Sequence, residues 1–193
     1  MLLIGPPGAG KGTQAVLLAS TYKIPAISTG DIFRSNVKNE TELGLQVKAI
    51  LAAGEYVPDS LTNAVVESRL SESDAKAGFL LDGYPRTTDQ VNELDRMLTA
   101  HETALNVVVL ITADTDEVVS RLLNRAAGEG RADDTETVIR HRLALYEEQT
   151  APLIAVYSAR NLVVTIDGLG AVDDVTSRIV SALEAKGISA PAV

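Results

Sequence analysis

The residues with the clearest chemical potential open the chain, in Gly5-Pro-Pro-Gly-Ala-Gly-Lys-Gly-Thr13. Gly5, Gly10 and Lys11 keep the spacing G-x-x-x-x-G-K. In such a loop bare backbone N–H groups, the positive end of a helix and one ammonium converge on a phosphate. The alternative is a plain glycine turn. An apolar run before the loop and a helix-like pattern after it favour the phosphate loop, which would use Gly8, Ala9, Gly10, Lys11, Gly12 and Thr13. The usual next residue is a Ser or Thr whose hydroxyl holds Mg²⁺. Here it is Gly12, and Thr13 comes one residue late. A metal would therefore sit on phosphates and waters, with Asp82 of Leu-Leu-Asp-Gly as an outer partner. Asp82 also reads as a capping or turn aspartate.

The bulk of the chain narrows the rest. It has 193 residues, 46% of them hydrophobic, which suits one domain with a small insertion. There is no cysteine, so disulfides, thiolate metal sites and cysteine nucleophiles are excluded. A reducing cytoplasm fits that composition. No apolar run approaches the ~18 residues of a membrane span, and the N-terminus lacks a signal-peptide layout. The net charge of −9 argues against a nucleic-acid partner. Anionic ligands must then be held by local clusters of basic residues.

These groups need elements to hold them. MLLI, IPAIS, GFLLDG, NVVVLIT and LVVTID read as short buried strands. Helical patterns alternate with them, which predicts an α/β fold with a mostly parallel sheet. The segment from Thr29 to Leu70 is nearly all helix between two strands, too long for one crossover, and reads as a small helical subdomain. AGEGRADD reads as a loop. The stretch from Asp134 to about Arg160 reads as a long helix bent at Pro152.

Five strings, GPPGAGKGTQ, ISTGDIFR, GFLLDGYPRT, GRADD and IRHRL, occur in this order at suitable separations. Together they closely resemble the adenylate kinases, from Leu2 to about Ala185. The resemblance implies a phosphate-loop nucleoside-monophosphate-kinase fold: a five-stranded parallel sheet between helices, an AMP-binding helical subdomain (29–58) and a short lid (125–134). It implies phosphoryl transfer from Mg·ATP to AMP giving two ADP, with nucleotides as the partners, Mg²⁺ as the cofactor and a monomer as the form. The Gly-Lys-Gly-Thr ending is a trait of that family, in which magnesium is held mostly through waters.

Carried over by motif, Arg34 and Arg86 would hold the AMP phosphate. Arg121 and Arg125 would reach from the ATP side, and Arg131 and Arg142 would close on the phosphates between the nucleotides. Arginine suits these tasks because its planar fork grips phosphate oxygens in pairs. Thr29, Glu55, Tyr56, Val57, Gly83, Tyr84, Pro85 and Gln90 complete the expected AMP site, and Gly170 contacts the ATP adenine. Asp133 and Asp134 either brace the arginines or cap the next helix. The Gly-Tyr-Pro-Arg turn favours a cis Tyr84-Pro85 bond. His101, His141, Arg69, Arg96, Arg160 and Arg178 are expected at the surface without a role. Two features depart from the pattern: the chain begins abruptly at its first strand, and Glu55 stands where some relatives have Lys.

The nearest rival is a UMP/CMP kinase, which shares the loop and the Pro-Arg turn. Gln90 can pair its amide with an adenine edge, whereas the pyrimidine relatives tend to carry Asn there and Ala in place of Thr29. A nucleotide-binding switch without turnover would leave Arg34 and Arg86 without a purpose. The lid and the segment from Thr29 to Leu70 are expected to be mobile when empty and ordered by a bisubstrate analogue.

Long-lid relatives insert a small domain, sometimes zinc-bearing, where this chain has only the five residues between Arg125 and Arg131. Elemental analysis of the purified protein should therefore find no stoichiometric zinc. One tightly held zinc per chain would overturn the short-lid reading.

Overall fold

The computed structural model describes residues 1–129 and 135–191. Five strands, β1 (Leu2–Ile4), β2 (Ala26–Ser28), β3 (Leu80–Asp82), β4 (Val108–Thr112) and β5 (Val163–Asp167), form one parallel sheet in the order β2-β3-β1-β4-β5. Successive side chains on a strand point to opposite faces, and helices cover both faces here, so the strands read as continuous apolar runs. Leu2 and Ile4 join one core with Leu81, Val108 and Leu110, under α4 (Asp59–Leu70), α5 (Thr88–Ala100) and α8 (Leu153–Ala159). Leu3 joins the other with Leu80, Val109 and Ile111, under α1 (Lys11–Tyr22) and α9 (Val172–Ala185). The result is the three-layer arrangement expected from the alternating pattern.

The helical insertion is only partly separate. α2 (Thr29–Lys38) and α3 (Glu42–Ala53) build their own small core from Phe33, Val47 and Val57. α4 begins in that core through Leu61 and Val65, but Val66 and Leu70 pack into the main one. The helix starts are set locally. Ser28 accepts from Asp31 N at 3.2 Å, Thr41 from Gly44 N at 3.1 Å and Thr87 from Gln90 N at 3.2 Å, so each satisfies an orphan donor of the first turn.

Three expectations need correction. AGEGRADD is not a loop throughout. Instead α6 runs from Thr115 to Glu129, because Ala126 and Ala127 are strong helix formers and one glycine costs a helix only about 1 kcal/mol. α7 (Glu136–Leu145) is capped by Thr135, whose side chain accepts from Val138 N, so its cap is neither Asp133 nor Asp134. The stretch after α7 breaks earlier than a bend at Pro152 alone would require. Tyr146–Thr150 form a π-helical turn, closed by Ala151 N donating to Tyr146 O at 2.9 Å. Arg131, Asp133, Asp134 and the second half of the expected lid, residues 130–134, lie outside the described residues.

α3 crosses α2 so closely at Gly44 that a β-carbon there would lie 2.1 Å from the Asn36 carbonyl oxygen and 2.7 Å from Val37 N. These are backbone atoms and cannot swing aside. Gly44→Ala gains at most about 1 kcal/mol of helix propensity, while overpacking of this kind costs about 1–3 kcal/mol. The substitution should therefore lower the unfolding temperature, and a melting curve equal to or above the parent's would refute the crossing.

Candidate active site

The C-terminal ends of the parallel strands open into a cleft of about 740 Å³, the place where ligands bind open α/β sheets. The loop between β1 and α1 forms its floor. Gly10, the residue before α1, has φ +93°, and a β-carbon on it would meet nothing within 4 Å, so backbone conformation alone demands glycine there. Its turn aims the first N–H groups of α1 into the cleft. No side chain caps them, which leaves an anion site at the helix N-terminus. Lys11 folds back under the loop and donates through Nζ to Gly5 O (2.7 Å) and Pro6 O (2.8 Å).

Arginines close in from several elements. Lys11, Arg34, Arg86, Arg121, Arg125 and Arg142 all line the cleft, against the carboxylates of Asp31 and Asp82 among the described residues. A chain of net charge −9 has thus gathered six cations in one place. Arg34 pairs with Asp31. Arg121 donates to Glu117 Oε1 (2.8 Å) and Gly168 O (3.1 Å). Arg86 donates through Nε to Gly83 O (2.8 Å), and its guanidinium lies 4.8 Å from the centre of the Tyr56 ring. Withdrawal from water lowers the Lys11 pKa to about 8. Asp82 opposes that shift, and Arg86, Arg142 and Arg125 add to it.

The expected phosphate-loop residues Gly8, Ala9, Gly10, Lys11, Gly12 and Thr13 all line the cleft. Tyr56, Gly83, Pro85 and Gly170 line it as well. The Tyr84-Pro85 bond is cis. Four expected residues stand behind the wall instead, and a fifth turns away from it. Thr29 is buried and donates to Gly83 O at 2.9 Å. Val57 sits in the small helical core. Tyr84 is buried and donates to Asn63 Oδ1 at 2.8 Å. Glu55 turns outward to His141 Nε2 at 2.8 Å, so the surface residue His141 has a partner. Gln90 is 1% exposed; its Oε1 accepts from Arg86 N (2.7 Å) and its Nε2 donates to Asp59 Oδ1 (2.6 Å).

Sequence reasoning missed two supports of the Arg86 turn. Asp59 also accepts from Thr87 Oγ1 at 2.7 Å, which ties the start of α4 to the turn. Thr150, on the π-helical turn, donates to Arg86 O at 2.9 Å. Its single proton being spent there, the Tyr56 hydroxyl is the donor in their 2.9 Å contact. A lone Asp after Pro58 and a Thr before Ala151-Pro152 carry no local signal of either task. π-turns of this kind are frequent at functional sites.

Among the described residues no cluster of three metal-ligating side chains exists. The donor set at the loop is one carboxylate, Asp82, whose Oδ2 lies 3.8 Å from where a β-carbon of residue 12 would stand. That arrangement fits a divalent ion held mainly by phosphates and water, with Asp82 bonding to the waters.

A parallel sheet in this order, a phosphate loop after its central strand and an arginine-lined cleft over the strand ends define a phosphate-loop nucleoside-monophosphate-kinase fold. The adenylate kinase family model matches residues 3–162. The adenylate kinase of Kocuria rhizophila is 61% identical over 95% of this chain and 98% of its own length. Those of Leifsonia xyli subsp. xyli and of a Nocardioides species are each 59% identical, over 97% and 95% of this chain and 94% and 96% of their own. The chain belongs to the adenylate kinase family.

The lowered Lys11 pKa has a sign that can be measured. Below about pH 8 the free protein holds Lys11 charged, and a bound polyphosphate favours that charge. Above it, binding must first take up a proton, so affinity is full below pH 8 and is lost as pH rises through that value. The Kd for a nucleoside triphosphate should rise about tenfold by one pH unit above the lysine pKa. Lys11→Met should abolish this dependence and lower kcat by about 10²–10³-fold. It should also raise the melting temperature of the ligand-free protein at neutral pH, since folding no longer confines a charge. A pH-independent Kd in the parent would show that Lys11 does not titrate in the site.

Proposed function

We propose that the chain reversibly transfers the terminal phosphoryl group of Mg·ATP to AMP, giving two ADP. The observation that carries this reading is the presence of two sets of cations in one cleft. Lys11, Arg121 and Arg125 come from the phosphate loop and α6, Arg34 and Arg86 from α2 and the turn after β3, and Arg142 from α7. One set suits a triphosphate and the other a second phosphate ester, which a simple ATPase would not need.

The chemistry asks for position and charge rather than a nucleophilic side chain. An oxygen of the AMP phosphate attacks the γ-phosphorus, the bond from that phosphorus to the β,γ-bridging oxygen breaks, and the electron pair leaves with ADP. The second pKa of a phosphate monoester is about 6, so the attacker is already a dianion at neutral pH and no base is required. Loop N–H groups and Lys11 follow the charge on the moving group, and the arginines neutralise it from both sides. Asp82 would hold the waters of a magnesium ion bound with ATP, which would supply further neutralising charge at the phosphates.

In this proposal the donor binds along Gly8–Thr13, Arg121, Arg125 and Gly170. The acceptor binds at Arg34, Arg86 and Arg142 and beside Thr29, Glu55, Tyr56, Val57 and the 83–85 turn, with Arg131 joining the phosphates. Residues 29–58 form the acceptor subdomain and 125–134 the lid region. The Asp59 carboxylate can only accept and the Arg86 N–H can only donate, so together they fix the orientation of the Gln90 amide. Its second N–H and second lone pair then match the N1 and amino group of adenine, which reach it when α2 and α3 shift. The acting form is a monomer in the cytoplasm. No helix among the described residues is long and apolar enough to cross a membrane.

A coupled assay should show ADP formed from ATP plus AMP, with UMP and CMP accepted far less well. Equal use of CMP would favour the pyrimidine nucleotide kinase reading, and nucleotide binding without turnover would favour a switch.

A further inference from the structure

Arg178 is exposed, as its sequence context suggests, but its guanidinium has specific partners. It sits in the second turn of α9, and side chains on a helix lean toward its N-terminus. That lean carries the guanidinium back over the strap between β5 and α9, residues 168–171. One nitrogen, Nη1, donates to Asp167 O at 2.6 Å and to Leu169 O at 2.8 Å. The carbonyl between them, Gly168 O, accepts from Arg121 Nη1 at 3.1 Å. Three consecutive carbonyls are thus each tied to a guanidinium, one arginine approaching from α6 and the other from α9.

The rest of the strap is pinned as well. Gly168 N donates to Thr112 O at 2.7 Å, and Leu169 N donates to Asp167 Oδ1 at 3.0 Å. A β-carbon on Gly168 would lie 3.1 Å from the carbonyl oxygen of Ala9 in the phosphate loop. Gly170 follows with φ +105° and lines the cleft. A β-carbon there would lie 3.2 Å from Arg178 Nη2, so whatever rests on the Gly170 backbone also lies beside this side chain. A cation near the positive end of α9 gains nothing from the helix dipole. The strap carbonyls are what hold it there.

We infer that Arg178 is a positioning residue for the base of the phosphoryl donor, holding the Gly168–Ala171 strap in the shape on which that base rests. This rests on the donor assignment proposed above. The strap meets the base and not the phosphates, so the side chain matters for ligands that carry a base and not for a bare polyphosphate.

The test measures binding of ATP and of inorganic tripolyphosphate to the full chain by calorimetry, with KM and kcat determined in parallel. Arg178→Met keeps the apolar stem and removes every donor. Its Kd and KM for ATP should rise about fivefold or more, with the Kd for tripolyphosphate, the KM for AMP and kcat changed less than twofold. Arg178→Lys should recover much of the loss, because an ammonium can donate to both carbonyls. Equal weakening of ATP and tripolyphosphate would reduce the effect to bulk charge or damaged folding and overturn the inference, as would an unchanged ATP affinity in Arg178→Met. A parent protein that binds ATP more tightly than tripolyphosphate yet forms no ADP would refute the proposed reaction while leaving this inference standing.

Discussion

Repulsion among gathered cations is the interaction on which the rest of the molecule depends. Six basic side chains share one cleft in an acidic chain, and the lysine at its floor is shifted down to a pKa of about 8 by lost hydration and by three of the arginines. No charge set of that kind holds itself together. The fold anchors four of them separately: Lys11 on two loop carbonyls, Arg34 on Asp31, Arg86 on Gly83 O, Arg121 on Glu117 and Gly168 O. The anchors are mostly neutral carbonyls, which position a cation without cancelling its charge. A polyphosphate can therefore displace or supplement them at small cost and gain the full field.

The Arg86 turn shows how far into the core such anchoring extends. Gln90 holds its backbone N–H, Thr150 its carbonyl and the Tyr56 ring one face of its guanidinium. Those three residues belong to α5, to the π-helical turn before α8 and to the chain after α3. Both the main core and the small helical insertion thus set the position of a single arginine. Thr29 and Asp59 act one bond further out, on Gly83 O and on Gln90. Several residues expected at the ligand also support the residues that line the cleft. The geometric precision that phosphoryl transfer demands is built in this second layer.

The sequence was legible wherever the information is local. Five apolar runs became the five strands, because strands buried on both faces need no partner information to be recognised. The phosphate loop was legible because its glycines answer to backbone conformation and its lysine to a fixed offset. The start of AGEGRADD is helical rather than loop because helix propensity at Ala126 and Ala127 outweighs one glycine, and α6 continues to Glu129. Of the two readings of Asp133 and Asp134, capping is ruled out because Thr135 caps α7, a role open to Asp and Thr alike.

What the sequence alone determined is the chemistry: a phosphate loop without its hydroxyl, a set of arginines placed by motif, and an α/β sheet to carry them. What only the tertiary structure decided is which side chains face the cleft and which stand behind it. Gln90 and Thr29 are buried and brace the turn after β3, Thr150 and Asp59 enter from elements that carry no motif, and Arg178 reaches back to the carbonyls of Asp167 and Leu169, eleven and nine residues earlier in the chain. The physical reason is that a side chain's polar group takes whichever partner folding brings within about 3 Å. That choice depends on helix crossings and turn geometry between distant segments, which residue type and spacing do not encode.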